Sequence, residues 1–232
     1  MREIVFDTET TGLSFAGGDR LVEIGCVELV NRCETGRHYH AYFNPERDMP
    51  EEAARIHGLR SDFLRAKPLF SALVHDLLDF IGDSPLVAHN ATFDFAFLNG
   101  ELKRCARALV CTTRMVDTLP IAQKKHPGAK HNLDALCTRF GIDRSHRVHH
   151  GALLDAQLLA QVYVELMGGR QIGLGLVDDV RLTAQPIAAP RARPVRPARV
   201  FPVSEGDKAR HRAFLQTVSN PLWGPLLEEA AS

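Results

Sequence analysis

The stretch from Ile4 to Gly12 limits what this chain can fold into more than any other segment. It opens with three apolar residues, which predict a short buried strand, and it closes with Thr-Thr-Gly, which predicts the strand's end. If strand geometry continues past Phe6, its two-residue period places Asp7 and Glu9 on one face. Two carboxylates about 4 Å apart repel by roughly 4 kcal/mol at an effective dielectric constant of about 20. The pair therefore indicates either a protonated carboxyl or a bound cation, although an acidic turn explains this stretch alone equally well.

Length and composition are those of an ordinary globular chain. Its 232 residues, 45% hydrophobic and 24% charged, suffice for one well-buried domain and an additional segment. Lys+Arg and Asp+Glu both number 28, so any contact with nucleic acid must come from a local patch. Five cysteines without a C-x-x-C pair predict reduced, partly buried thiols. Since no signal-peptide core or bilayer-length apolar run is evident, we predict a cytoplasmic protein.

The order of predicted elements indicates an α/β fold. Three strands in an antiparallel meander are followed by strands that alternate with helices, a pattern typical of a mixed sheet flanked by helices. The strands are predicted at 4–6, 21–29, 35–43, 86–88 and 109–113. The helices are predicted at 50–58, from 61, at 68–81, around 93–102, before 127, at 131–140 and at 151–167.

The composition changes after Gly169. Five prolines between 186 and 202, interleaved with Ala and Arg, predict an extended linker. The segment from 205 to 232 regains apolar side chains, among them Phe214, Leu215, Leu222 and Trp223. Because this segment is too short to fold alone, we expect it to bind a partner surface.

Two further acids follow at the ends of predicted elements. Asp94 lies in the first turn of a helix, where the helix dipole alone favours an acid. Asp155 follows His150 by five residues, which within one helix would point the two side chains about 140° apart. Gly151 favours a helix that starts after His150, so that both side chains face one cleft. All four acids together would repel one another strongly without a metal, and oxygen ligands suit Mg²⁺ or Mn²⁺.

Three segments resemble, in order and spacing, the motifs of the DEDDh 3′–5′ exonuclease superfamily. They are Asp7-x-Glu9, His89-Asn90-x-x-Phe93-Asp94 and His150-x-x-x-x-Asp155. The resemblance spans about residues 1–170 and implies a ribonuclease H-like exonuclease fold with a five-stranded mixed sheet. Within the superfamily, the segments 7–12, 132–136 and 150–157, followed by Gly168-Gly169, are most similar to the proofreading epsilon subunits of bacterial DNA polymerase III.

The resemblance implies a metal-dependent chemistry, which agrees with the cation that the four acids indicate. Asp7, Glu9 and Asp155 would hold one divalent cation, Mg²⁺ or Mn²⁺, Asp7 would share a second, and Asp94 would bind mainly through water. His150, at a mobile helix entry, would act as general base in the hydrolysis of the last phosphodiester, so that mononucleotides leave one at a time.

Other site residues follow from the same resemblance. Glu52 and His57 match positions that line the pocket of the terminal nucleotide, although a first-turn charge and a helix-end histidine are their ordinary explanations. His89 matches a residue near the site, and a capping role explains it equally well. Thr8 and Thr10 are expected to satisfy local backbone groups.

The implied partners belong to DNA replication. They are DNA 3′ ends, the polymerase catalytic subunit, a sliding clamp and a small stabilising replicase subunit. The predicted boundaries are 1–170 for the exonuclease domain, 171–176 for a clamp-binding peptide, 177–200 for the linker and 201–232 for the polymerase-binding tail. The peptide, Gln171–Leu176, ends in Leu where related peptides have Phe, which would weaken its anchor.

Two alternatives stay open at this point. The first is a DEDDh exonuclease that trims RNA 3′ ends, because a metal and a water do not distinguish RNA from DNA unless a pocket group contacts the 2′-OH. The second is a non-catalytic adaptor between polymerase and clamp.

Overall fold

The structure is a computed structural model, and it describes residues 1–145, 150–169 and 202–219. The chain divides into two units, Met1–Leu176 and Val177–Ser232. The predicted clamp-binding peptide and linker lie outside the described residues, as do Phe201, Leu222 and Trp223 of the predicted tail.

Five strands form one mixed sheet. They are β1 Arg2–Thr10, β2 Leu21–Val30, β3 Cys33–Tyr42, β4 Leu86–Ala88 and β5 Met115–Asp117. Their order across the sheet is β3-β2-β1-β4-β5. The first three pair antiparallel, whereas β1 pairs parallel with β4, and β4 pairs parallel with β5. The predicted α/β class and the five-stranded mixed sheet are confirmed.

Seven helices lie within about two residues of their predicted bounds: α1 Glu51–His57, α2 Ser61–Arg65, α3 Phe70–Ile81, α4 Thr92–Arg104, α5 Thr118–Lys125, α6 Leu133–Phe140 and α7 Ala152–Leu166. The helix of the second unit, α8 Glu205–Thr217, was not predicted from the sequence. Among the described residues, no helix combines the length and the apolar character that crossing a bilayer requires.

The fifth strand does not lie where the sequence predicts it. The prediction was 109–113, but β5 begins at Met115 after a 3-10 turn over Thr112–Arg114. The Asn99 side chain explains the difference, because its Nδ2 donates to the Val110 carbonyl at 3.0 Å and its Oδ1 accepts from the Val110 N–H at 2.8 Å. Both backbone groups of Val110 are thus bonded to α4 and are not available to a sheet ladder. The prediction is wrong because an apolar run does not reveal such a partner.

Helices cover both faces of the sheet, and strand β1 contributes to both cores. Ile4 and Phe6 pack with the side chains of α3 and α4, whereas Val5 packs with α7 residues such as Leu159 and Tyr163. Alternate residues of a strand point to opposite faces. The side chains of Asp7 and Glu9, which share the face of Val5, therefore point to the side of the sheet that α7 covers.

All five cysteines are free thiols. Cys26 and Cys137 are buried, Cys105 is half-buried, and Cys33 and Cys111 are exposed. Burial raises the pKa of the Cys26 thiol strongly, which keeps it protonated and unreactive.

Candidate active site

Strand β1 carries the first two acids. It is longer than the predicted apolar core, because strand geometry continues through Thr10. In the antiparallel register, Asp7 lies opposite Gly25 of β2, and Glu9 lies opposite Glu23. Glu9 is buried, while Asp7 is half-buried. The two carboxylates occupy one face, as the strand period predicts.

Gly25 lets the start of α7 approach the sheet closely. A Cβ atom at this position would lie 2.3 Å from the backbone N and Cα of Leu153 and 2.4 Å from the carbonyl carbon of Ala152. No other residue fits there unless the helix moves. Because Asp155 lies only two residues beyond this contact, the close packing sets the position of its carboxylate relative to β1.

His150 lies just before α7 and points back to the helix's first turn. The N-cap Gly151 is extended, with φ −155° and ψ 126°. His150 Nδ1 lies 3.2 Å from Asp155 Oδ2, and the side chain of Asp155 is 5% exposed whereas that of His150 is 48% exposed. The backbone N–H of His150 also donates to the Ile56 carbonyl of α1 at 3.3 Å. The extended N-cap therefore brings together two residues that a continuous helix would point apart.

Glu9, His150 and Asp155 converge on one point. Each offers a ligand atom, and these atoms all lie within 4.8 Å of one another. Among the described residues, this is the one group of three or more such side chains that could hold a metal ion. Two largely buried carboxylates this close repel unless a proton or a cation lies between them. The set therefore fits a hard divalent cation, for which carboxylate oxygens are the preferred ligands.

Asp94 reaches the same end of β1 from the other side of the sheet. It lies in the first turn of α4 with 3% of its surface exposed. Thr8 Oγ1 donates to Asp94 Oδ1 at 2.6 Å. Burial raises the pKa of Asp94 to about 7, and the hydrogen bond from Thr8 opposes that rise. The carboxyl is thus poised between its neutral and charged forms near neutral pH.

The role expected for Thr8 is wrong, whereas that for Thr10 is right. Thr10 Oγ1 donates to the nearby Gly12 carbonyl at 2.6 Å. Thr8 instead bonds a carboxylate 86 residues away, because it shares the face of Phe6, whose ring packs edge-on against Phe95 of α4. The two-residue period of a strand, which can be read from the sequence, places Thr8 on the face opposite to Asp7 and Glu9.

His57 ends α1 beside this cluster. The ring is 6% exposed, and its Nδ1 accepts a hydrogen bond from the Leu59 N–H at 3.1 Å. Nε2 therefore carries the proton of the neutral ring. Burial lowers the pKa of His57, whereas the nearby Thr10 backbone and the charge of Glu23 oppose that shift. Nε2 is buried without a hydrogen-bond partner among the described residues, so a donor points into the protein beside the catalytic side chains.

Glu52 and His89 lie in different surroundings. Glu52 is exposed in the first turn of α1, and the five residues that separate it from His57 span about 7.5 Å of helix. Its place in a nucleotide pocket stays a prediction. His89 follows β4, and its Nδ1 lies 2.8 Å from Thr118 Oγ1 at the start of α5. It does not cap α4.

One polar cluster beside the site was not predicted from the sequence. Glu23, which lies opposite Glu9, is 2% exposed, and its Oε1 is 2.7 Å from His40 Nε2. Tyr42 is its neighbour on β3, and burial followed by the charge of Glu23 raises the pKa of Tyr42. The available signal was an acid and a histidine on neighbouring strands, but only the register shows that they meet.

Comparison with known proteins places the chain among exonucleases. A family model described as Exonuclease matches residues 4–163. The DNA polymerase III subunit epsilon of Rickettsia conorii is 56% identical over 181 residues, which covers 77% of this chain and 79% of the relative. The DNA polymerase III subunit epsilon of Escherichia coli is 40% identical over 227 residues, covering 94% of this chain and 93% of the relative.

Solved structures share the fold. The nuclease domain of 3′hExo, a DEDDh family member bound to rAMP, superposes with a TM-score of 0.62 at 16% identity and covers 72% of this chain and 92% of that one. Exonuclease X in complex with 5′ overhanging duplex DNA superposes with a TM-score of 0.57 at 24% identity, over 72% of this chain and 91% of that one. These likenesses support the ribonuclease H-like exonuclease fold.

Proposed function

This chain belongs to the exonuclease family and, within it, to the epsilon subunits of DNA polymerase III, and from that membership we propose that Asp7, Glu9, Asp94, His150 and Asp155 form its catalytic centre. The protein is a metal-dependent 3′–5′ exonuclease, the proofreading subunit of a replicative DNA polymerase. The observation that carries the residue assignment is the convergence of Glu9, His150 and Asp155 within 4.8 Å. Removal of mispaired 3′-terminal nucleotides as mononucleotides is the reaction that this centre would perform.

Two divalent cations, Mg²⁺ or Mn²⁺, are part of the proposal. Asp7, Glu9 and Asp155 would hold them, and Asp94 would bind mainly through water. When bound, such ions activate a water, stabilise charge on the scissile phosphate and support the leaving 3′ oxygen. The buried carboxylates of Glu9 and Asp155 provide the hard oxygen ligands that this chemistry needs.

His150 is the proposed general base. Asp155 lies 3.2 Å from its Nδ1, so a proton on Nδ1 is donated to the carboxylate and the ring is oriented by it. Nε2 is then the nitrogen that takes the proton from the attacking water. The half-exposed ring can pass that proton on to solvent. Asp155 thereby has two tasks, as a metal ligand and as the group that orients the base.

Thr8 and Asp94 form a supporting pair. The hydrogen bond from Thr8 stabilises the charged form of Asp94 and so counteracts the effect of burial on its pKa. It also holds the carboxylate beside the end of β1, the strand that carries Asp7 and Glu9. Partners of this kind orient metal-binding carboxylates and tune their charge.

His57 is proposed to contact the terminal nucleotide. Its Nε2–H is a buried donor without a partner among the described residues, and an oxygen of the bound nucleotide would supply one. For His57→Phe we expect KM for single-stranded DNA to rise roughly threefold to tenfold, the value of one neutral hydrogen bond. Steady-state kinetics will measure this. The control, His38→Phe on the exposed part of β3, should leave KM unchanged, and an unchanged KM for His57→Phe would contradict the assignment.

Preference for mispaired ends needs no group that reads the bases. Extruding a paired base from a duplex requires a few kcal/mol, and a mismatched terminus requires less. A mispaired 3′ end therefore reaches the acidic centre more often than a paired one. The discrimination lies in the substrate's own stability.

The function is tested by product analysis. We expect purified protein to release mononucleotides from the 3′ end of single-stranded DNA and of a mispaired primer with Mg²⁺ or Mn²⁺, and to release none with EDTA. Asp155→Asn, which keeps the side chain's size, should lower the rate on the order of 10⁴-fold, as removal of a catalytic group does. Faster digestion of RNA than of DNA would favour the RNA-trimming alternative, and intact ends under all conditions would favour a non-catalytic adaptor.

The proposal for binding partners rests on the relatives, which are named as subunits of DNA polymerase III. We infer that residues 201–232 bind the polymerase catalytic subunit, that Gln171–Leu176 binds a sliding clamp, and that a small replicase subunit stabilises the exonuclease domain. One feature of the described tail supports the first of these. In α8, whose N-cap Ser204 accepts from the Asp207 N–H, Phe214 is 62% exposed, so an apolar side chain is available for a partner.

A further inference from the structure

The carboxylates of the acidic centre repel the phosphates of a DNA substrate. The chain's charges balance at 28 of each sign, and the catalytic residues are mostly carboxylates. Every nucleotide that precedes the scissile bond nevertheless adds a phosphate close to this centre. Affinity for a nucleic-acid backbone comes mainly from Lys and Arg beside the phosphates. A cationic surface near the site is therefore needed.

One segment next to the site is strongly basic. Residues 124–131, here called the basic loop, join α5 to α6 and read Lys-Lys-His-Pro-Gly-Ala-Lys-His. Lys124, Lys125 and Lys130 are exposed. None of them forms an ion pair with any described residue, so their charges are not neutralised within this part of the chain.

The fold attaches the basic loop to the catalytic edge of the sheet. Because β1, β4 and β5 are parallel, their carboxyl ends, which carry Glu9, His89 and Asp117, lie at one edge. The His89 ring lies 2.8 Å from the Thr118 hydroxyl, and the backbone of His131 is near enough to raise the pKa of His89 against the lowering effect of burial. His89, a motif residue with no task in the chemistry above, thus connects β4 to the end of the loop.

The basic loop is also closed on itself. His131 Nε2 lies 2.8 Å from the His126 carbonyl, and Gly128 takes the turn with φ 76°. Lys130 is therefore held next to the residue whose backbone lies near the His89 ring. Lys124 and Lys125 lie at the far end of α5, whose eight residues span about 12 Å. The three lysines extend outward from the catalytic edge.

The side of the site formed by α1 and α2 carries charges of both signs. The exposed acids Glu51, Glu52 and Asp62 lie in the first turns of these helices, and the same stretch exposes Arg55, Arg60 and Arg65. The basic loop, in contrast, has three exposed lysines and no acidic residue between 124 and 131. The basic loop is therefore the more cationic of the two surfaces.

We propose that Lys124, Lys125 and Lys130 bind backbone phosphates of the strand that precedes the scissile bond, and that His89 positions the basic loop for this contact. The proposal rests on the proposed function, because it takes the terminal nucleotide to lie at the acidic centre. The lysines contribute binding of the strand, and they take no part in bond cleavage.

The test compares a long substrate with one that has no preceding phosphate. In Lys124→Gln/Lys125→Gln/Lys130→Gln, KM for a 12-nucleotide single strand should become less dependent on salt. Three lost contacts reduce the slope of log KM against log salt by about 2, at roughly 0.7 for each contact with a single strand. Between about 50 and 200 mM salt, KM rises for both proteins. The factor by which wild-type KM rises should be about twenty times the factor for the variant. Hydrolysis of the p-nitrophenyl ester of thymidine 5′-monophosphate should be unchanged.

A matched variant controls for a general loss of charge. Lys103→Gln removes an exposed lysine in the last turn of α4, about 14 Å along the helix from Asp94, and its salt dependence should equal that of the wild type. Lys130→Gln alone should show about a third of the triple effect.

The outcomes separate this proposal from the proposed function. An unchanged salt slope in a folded triple variant that still cleaves both substrates would overturn the role of the lysines. Equal loss of activity on the ester and on the oligonucleotide would also overturn it, because it would place the lysines in the chemistry. Absence of hydrolysis of either substrate by the wild-type protein would instead refute the exonuclease function.

Discussion

Asp94→Asn is expected to reduce kcat about a thousandfold or more and, in the same protein without metal, to increase stability at pH 8. The loss of activity follows because a neutral amide cannot supply the negative charge that a divalent cation needs. The gain in stability follows from burial, since the fully buried Asp94 carboxyl has its pKa raised to about 7. Forming its charge inside the protein therefore opposes folding.

The direction of the pH dependence can be worked out from that pKa. An unfolded Asp has a pKa of about 3.9, so between roughly pH 4 and 7 the folded state holds a proton that the unfolded state has lost. Stability of the metal-free protein then falls as the pH rises through this window, by roughly 4 kcal/mol in total, and is level above it. Asp94→Asn has no such slope. Variant and wild type should be alike near pH 4 and differ most at pH 8.

Urea unfolding in EDTA across this pH range measures the effect. Asp79→Asn, an exposed acid on α3, serves as a control and should follow the wild-type curve. Thr8→Val should move the Asp94 pKa further up, because it removes the hydrogen bond that opposes burial. The difference in unfolding free energy between wild type and Asp94→Asn should change between pH 4 and 7. A constant difference, or full activity of Asp94→Asn, would show that this carboxyl has no such role.

Gly25→Ala is expected to damage both stability and catalysis although Gly25 touches no substrate. The added methyl group would lie 2.3 Å from backbone atoms of Leu153, so the start of α7 must move away from β2. Overpacking of this kind destabilises by about 3 kcal/mol. The displacement moves Asp155 and His150 away from Glu9, and a misplacement of about 1 Å can lower the rate roughly a hundredfold.

The measurement combines urea unfolding with kcat on single-stranded DNA at a temperature where the variant is folded. Gly151→Ala is the matched control, because a Cβ at the N-cap of α7 meets no atom within 4 Å and its φ of −155° suits any residue. That control should lose about 1 kcal/mol or less, because alanine is a poorer N-cap than glycine but restricts the unfolded chain more. A folded Gly25→Ala protein with the wild-type rate would contradict the idea that this glycine sets the geometry of the site.

Local patterns account for the parts of the site that lie within one element. The period of two along β1 placed Asp7 and Glu9 on one face. The glycine after His150 predicted a helix that starts beyond His150, and in α7 this start turns His150 toward Asp155. Such features depend only on backbone geometry over a few residues, and they are therefore readable before any fold is known.

Contacts between distant segments were decided by the tertiary structure alone. Strand β5 lies outside its predicted range, because the Asn99 side chain holds Val110 outside the sheet. The bond from Thr8 to Asp94 and the contact of Glu23 with His40 were not predicted either. The position of the basic loop beside the catalytic edge likewise depends on the contact of His89 with Thr118. Sequence by itself thus determined which chemical groups this protein has and which face of each element they occupy. Which groups meet was decided by register, packing and burial, because those depend on every element at once.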